Sequence, residues 1–143
     1  QAIGEMICAN CLREIEAEVM AAIAETDQPS EKLRRMFKGF TEATLRLLFR
    51  DRKLYEIAAS AATERWAAVV AYEERVQALL KEILQEGRQS GDFERKTPLD
   101  ETAAAIYLVM RPYFNPLLLQ HSFDYTDAAP GQLSGLVLRS LSP

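Results

Sequence analysis

The sequence predicts an all-α fold of about six helices, arranged as an orthogonal bundle around one long central helix. Apolar residues recur three and four positions apart along most of the chain, and no segment alternates apolar and polar residues for the length of a strand. Cap and turn residue types separate the helical segments. With 143 residues and 48% hydrophobic content, one core and one domain over residues 1–143 are expected.

The first three predicted helices follow one another through short turns. Residues 1–26 keep apolar side chains at helical spacing. Residues 27–30 are cap and first-turn types, which predict a second helix ending near Arg50. Asp51 is expected to cap a shorter, alanine-rich third helix that runs through Ala61.

The fourth predicted helix is the longest and covers most of residues 66–94. A broad apolar stripe runs along it, with Glu73 and Glu74 expected among the polar residues off the stripe. Gly87 and Gly91 are both expected to act as stop signals. Other helices must cover this stripe, because propensity alone does not stabilise so long a helix.

Two helices are predicted after the glycines. Thr97 is expected as the N-cap of the fifth helix. Prolines inside its apolar pattern remove backbone donors, so a kink or break is expected at 111–115. Residues 121–130 are expected to form a loop, and 131–141 a last short helix.

The charge balance excludes some partners. Seventeen basic and twenty-one acidic side chains give a net charge of −4, and no run of Lys or Arg forms a patch that could bind several phosphates. The chain by itself is therefore not expected to bind nucleic acid. Without a long apolar run or a signal peptide, a cytoplasmic protein that does not bind membranes is expected.

Few residues could carry catalytic or metal chemistry. Cys8 and Cys11 lie inside a helical pattern, and a zinc site would need two further ligands from a chain with one His and no other Cys. Packing thiols are the favoured interpretation, and a redox pair is the alternative. His121, near a helix end, is interpreted as a partner of the helix dipole. Neither a cofactor, a metal nor an enzymatic activity is expected.

Three phrases together resemble a known family. They are LRRMFKGFTEATLRLLFRDRKLYEIAASAATERW, LLKEILQEGRQSGDFE and ETAAAIYLVMRPYFNPLLLQ. In this order they are similar to the C-terminal regulatory domain of TetR-family transcriptional regulators. The second phrase is the most specific, because the family's long central helix commonly ends in a glycine phrase that is matched here by Glu86, Gly87, Gly91, Asp92 and Phe93. An Ala-rich helix then follows, matched by residues 103–105.

The resemblance implies a function in ligand sensing. Family members begin with a helix-turn-helix unit that binds DNA, which this sequence lacks, and residues 1–4 look like the junction to it. DNA would be bound only through that missing unit. The expected function is the ligand-sensing and dimerisation domain of a regulator, with repression favoured. A free-standing helical interaction module without a ligand is the alternative.

The resemblance implies a cavity beside the long helix for a small apolar or amphipathic effector. Aromatic residues from several helices are expected to line it, and polar residues within apolar stretches, Asn115 among them, to orient the guest. Such aromatic residues also fill ordinary cores. The candidate ligand-binding residues are Phe37, Phe40, Thr44, Tyr55, Trp66, Val69, Tyr72, Tyr107, Met110, Arg111 and Phe114.

The resemblance also implies a homodimer. In the family the last two helices pair with those of a second subunit as a four-helix bundle. The two helices here carry more apolar residues than one inward face of each needs. The candidate dimer residues are Leu108, Val109, Leu117, Leu119, Leu133, Leu136, Leu138 and Leu141.

Overall fold

The computed structural model describes residues 2–143, so the predicted helical start at Gln1 lies outside the described residues. Over residues 2–143 there are seven α-helices and no strand, which confirms the all-α prediction. The helices are α1 (Ala2–Ala24), α2 (Pro29–Leu48), α3 (Arg52–Thr63), α4 (Ala67–Ser90), α5 (Leu99–Met110), α6 (Pro116–Leu119) and α7 (Ala129–Ser140). Within this part of the chain, no helix is both long and apolar enough to cross a bilayer.

Two helices share the centre of the core. The longest is α4, as predicted, and it packs against α1, α2 and α5. The second is α2, which packs against α1, α3, α4 and α7. Leu33, Met36 and Phe40 lie on its broad buried face at helical spacing. The sequence predicts α4 as the one central helix, but α2 is central in the structure as well.

Local chemistry fixes the starts of two helices where they were expected. The Asp51 carboxylate accepts hydrogen bonds from the backbone N–H groups of Lys53 and Leu54, which confirms the predicted cap of α3. The N-cap of α2 is Gln28, with Pro29 at the first helical position, inside the predicted cap segment.

The prediction for Gly87 is wrong. Gly91 does end α4, in the left-handed conformation with φ of 83°, but Gly87 lies inside the helix. The reason is packing: after the Gly91 turn the Phe93 ring lies over Gly87, and the Phe93 N–H donates to the Gly87 carbonyl at 3.0 Å. The glycine at 87 therefore provides space for a ring.

The predicted cap at Thr97 is also wrong, because α5 begins at Leu99 with Pro98 as its N-cap. Thr97 is held in the preceding turn instead. Its backbone N–H donates to the Glu94 carboxylate at 3.2 Å, and its carbonyl accepts from Arg88 at 2.6 Å. These tertiary contacts decide the boundary.

The predicted break at 111–115 is confirmed. The chain passes from α5 into a 3-10 turn, Arg111–Tyr113, and Asn115 then caps the single-turn helix α6. A second 3-10 turn, Phe123–Tyr125, lies within the predicted loop. The last helix starts two residues earlier than predicted, at Ala129, with Pro130 in its first turn.

We expect Gly87→Ala to destabilise the fold. A methyl group at this position would overlap the buried Phe93 ring, which must then leave its place in the core. The expected loss is about 2–3 kcal/mol in the free energy of unfolding, measured by urea denaturation.

Gly135→Ala is the matched control, because Gly135 also lies inside a helix, α7, and its added methyl would meet only the flexible Arg139 side chain at ordinary contact distance. It should stabilise the protein by about 0.5–1 kcal/mol. Equal effects of the two substitutions would contradict the role given to the Phe93 ring.

Candidate functional site

A small cavity of about 20 Å³ lies between α1, α2, α3, α4 and the segment that joins α5 to α6. It is large enough for one water molecule and far below the roughly 300 Å³ of a small-molecule pocket. The cavity therefore has no room for a small-molecule ligand in this structure. Its walls are Cys8, Leu12, Ile15, Thr44, Leu48, Ala58, Ala62, Val69, Tyr72, Glu73, Phe114, Asn115 and Pro116.

Four aromatic rings meet at one side of this cavity. The Phe114 ring lies 5.7 Å from Phe40, 6.4 Å from Tyr72 and 5.8 Å from Tyr107, measured between ring centroids. These separations are typical of favourable tilted and edge-to-face pairs. The break after α5 makes this arrangement possible, because it turns Phe114 from the end of the helix toward α2 and α4.

Three buried hydroxyl groups in this region have no hydrogen-bond partner among residues 2–143. They belong to Thr44 and Tyr72, which line the cavity, and to Tyr107, whose ring packs on Phe114. A buried polar group left unpaired costs about 1–3 kcal/mol. The region thus keeps hydrogen-bonding capacity that the protein itself does not use.

Tyrosine is protonated at neutral pH, and burial makes the ionisation of Tyr72 and Tyr107 less favourable still. Burial raises the pKa of Tyr72 well above its ordinary value. It also raises the pKa of Tyr107 to about 12, and the nearby Glu73 carboxylate adds to that shift. Both hydroxyls can therefore donate as well as accept a hydrogen bond.

Glu73 is the charged wall of the cavity. Its side chain is buried and pairs with Arg65, with 2.5 Å between Oε1 and Nη1. The expectation that Glu73 lies off the apolar stripe is wrong. It stands four residues after Val69 and three before Val76, on the same face as these buried residues. That spacing was the sequence signal that could have located it.

The predicted ligand-binding residues fall into two groups. Thr44, Val69, Tyr72 and Phe114 line the cavity, and Phe40 and Tyr107 join them through ring contacts. The other five lie elsewhere: Phe37 and Met110 are buried in the core without lining the cavity, Tyr55 packs on Phe49, Trp66 faces Gly4, and Arg111 is half-buried in the 3-10 turn.

Sequence reasoning missed the walls from α1 and α3. Their apolar residues were recognised, but periodicity does not tell which of them face a cavity. The polar Asn115 does line the cavity, yet its Oδ1 accepts from the backbone N–H groups of Leu117 and Leu118 and so caps α6. Asn115 therefore stabilises the part of the cavity wall at the start of α6.

The two thiols are buried side by side on α1. Burial, with a smaller contribution from Cys11, raises the pKa of Cys8 to about 11, so its thiol is protonated and a weak nucleophile at neutral pH. This environment favours the packing interpretation. His121 is exposed just after α6. In residues 2–143, no three His, Cys, Asp or Glu side chains lie close enough to bind a metal ion.

Comparison with known protein families gives a clear match. Residues 29–132 match a family model described as "Tetracyclin repressor-like, C-terminal domain". The chain belongs to this family. The match begins at the first residue of α2 and ends within α7, so it includes every helix that lines the cavity except α1. It confirms the resemblance seen in the sequence. No curated protein and no solved structure matches the chain.

The predicted dimer residues of this TetR-like domain differ in exposure. Leu108 on α5 is 66% exposed and Leu136 on α7 is 57% exposed, and Val109 is also exposed. Because α5 packs against α7, these residues lie on neighbouring helices. Leu119 and Leu141 are instead buried in the chain's own core. The remaining three, Leu117, Leu133 and Leu138, are half-buried.

We expect Thr44→Val to leave the TetR-like domain equally stable or more stable. The substitution keeps the shape of the side chain and removes a buried hydroxyl that has no partner. Thr41→Val is the matched control on the same helix, because the equally buried Thr41 hydroxyl donates to the Phe37 carbonyl at 3.1 Å. The Thr44 variant should be about 1 kcal/mol more stable than the Thr41 variant in urea denaturation. The reverse order would show that the Thr44 hydroxyl is satisfied in solution.

Proposed function

We propose that this chain is the ligand-sensing and dimerisation domain of a TetR-type transcriptional repressor, and that its effector is a small, largely apolar molecule with at least one polar group. The observation that carries the proposal is the pair of unpaired hydroxyls, of Thr44 and Tyr72, in the walls of a small cavity beside the aromatic cluster. Ligand sites combine apolar walls with a few polar groups that orient the guest. A ligand that bonds to these hydroxyls recovers part of the free energy that their burial costs.

Binding is favoured over catalysis at this site. The family consists of regulatory domains. The cavity is lined by no imidazole among the described residues, and its one thiol has a raised pKa. A nucleophile with an adjacent base, as acyl or group transfer requires, is therefore missing from these walls.

The proposed response to the ligand depends on α1. Because the cavity is closed, a guest must push its walls apart, and α1 supplies Cys8, Leu12 and Ile15 over about two turns. A ligand that binds only the expanded form shifts the population toward a displaced α1. In a regulator of this type, α1 would pass this displacement to a DNA-binding unit.

A ligand-free interaction module remains the second candidate, and the one-water size of the cavity favours it. A filled core needs no guest. The two candidates differ in whether any small molecule stabilises the protein.

We expect specific apolar or amphipathic compounds to raise the melting temperature in a library screen at neutral pH. A ligand present at 100 times its Kd adds about 2.7 kcal/mol of stability. Ala62→Leu should abolish the effect of every hit, because Ala62 lines the cavity.

Ala59→Leu is the matched control, since Ala59 is a half-buried residue of the same helix that does not line the cavity, and it should keep the response. A screen in which no compound stabilises the protein would favour the interaction module.

We expect the chain to be a dimer at micromolar concentration in sedimentation velocity. Leu108→Glu should raise the dimer Kd at least about 100-fold, because it places an unpaired charge in the proposed interface. Met20→Glu, at an exposed apolar residue of α1, should leave the dimer unchanged. A monomeric parent protein would contradict the proposed dimer.

A further inference from the structure

The cavity has one acidic wall. Among its described lining residues, only Glu73 carries a carboxyl group, and this group is paired with the Arg65 guanidinium. The surrounding rings of Tyr72 and Phe114, with Tyr107 packed on Phe114, present further negative potential at their faces. The free hydroxyl oxygens add hydrogen-bond acceptors. This composition suits a cation better than a neutral or anionic group.

The present partner of Glu73 can be displaced. The Arg65 side chain is 56% exposed, whereas that of Glu73 is 10% exposed, so the guanidinium occupies the solvent edge of the pair. When the Arg65 guanidinium leaves Glu73, water can hydrate it, so its displacement costs little free energy. A neutral ligand would leave the pair in place, and an anionic ligand would lie beside a buried carboxylate.

The backbone of Arg65 indicates what this side chain contributes. Arg65 has a φ of 55°, in the left-handed region, at a helix end where glycine is the usual residue. The Trp66 N–H donates to the Ala61 carbonyl at 3.0 Å and closes this turn. A glycine would fit the turn with less strain, but it could not reach Glu73. The arginine thus keeps the carboxylate paired while the cavity is closed.

We propose that the effector is a cationic amphiphile, an aromatic or alkyl group bearing an ammonium, and that its ammonium replaces the Arg65 guanidinium at Glu73. This inference rests on the proposed ligand-sensing function and adds the charge class of the ligand. One ion pair is exchanged for another, so Glu73 is never left buried and unpaired. The rings around the site stabilise the ammonium through cation–π contacts, and its apolar group fills the expanded cavity.

Three probes with one carbon skeleton test the charge class: 4-phenylbutylamine, 4-phenylbutanol and 4-phenylbutyrate, titrated by calorimetry at neutral pH. The amine should bind at least about tenfold more tightly than the alcohol, and the carboxylate should bind more weakly than both. Glu73→Gln should remove the preference for the amine, so that amine and alcohol bind this variant with similar affinity.

Arg65→Asn gives a second, independent test that keeps Glu73. Asparagine tolerates a positive φ, so the turn is preserved while the competitor for the carboxylate is removed. The amine should then bind at least about threefold more tightly, and the alcohol as before. Arg52→Asn is the control for the lost charge, because Arg52 lies in an exposed pair with Glu56. It should change neither affinity.

Three results would overturn the inference: equal affinities for amine and alcohol, no effect of Arg65→Asn on the amine, or no binding of any of the three probes. The first two leave the ligand-sensing proposal intact, because a ligand still enters the cavity. In the third case the library screen with the Ala62→Leu variant decides separately whether the cavity accepts any ligand.

Discussion

The broad apolar face of α2 must be covered on more than one side, and this requirement decides where the neighbouring helices lie. Adjacent residues such as Met36 and Phe37, or Ala43 and Thr44, are both buried, so the buried face is too wide for one neighbouring helix to cover. The helices α1, α3, α4 and α7 together provide the cover. The remaining elements follow from this arrangement, because α5 packs on α4 and α6 packs on α3.

The cavity lies where buried polar groups in the core lack hydrogen-bond partners. Elsewhere in the core the buried hydroxyls of Thr41, Thr102 and Ser134 each donate to a backbone carbonyl. Around the cavity, Thr44, Tyr72 and Glu73 face the same small space, and the first two have unpaired hydroxyls. Such groups cost stability when a simple hydrophobic side chain would fit. Departures from good local packing of this kind are typical of functional sites.

Two regions of the domain have separate proposed tasks. The cavity is bounded by α1, which precedes the segment matched to the tetracyclin repressor-like family and still forms one of its walls. The exposed leucines of α5 and α7 lie on other helices and are free for a second subunit. The break at 111–115 belongs to both regions. It ends α5 soon after the exposed Leu108 and directs the Phe114 ring toward the aromatic cluster.

Periodicity and cap residues in the sequence determined the fold class, the long helix α4, the Asp51 cap and the proline break, because these depend on interactions within a few residues. The family was identified by the resemblance of three sequence phrases, which the match over residues 29–132 confirms. Tertiary structure decided that Gly87 accommodates the Phe93 ring, that Thr97 belongs to a turn, and that Glu73 faces inward. It also determined which aromatic rings pack against one another. These outcomes depend on neighbours distant in sequence, and helical spacing identifies a buried face without identifying what lies against it.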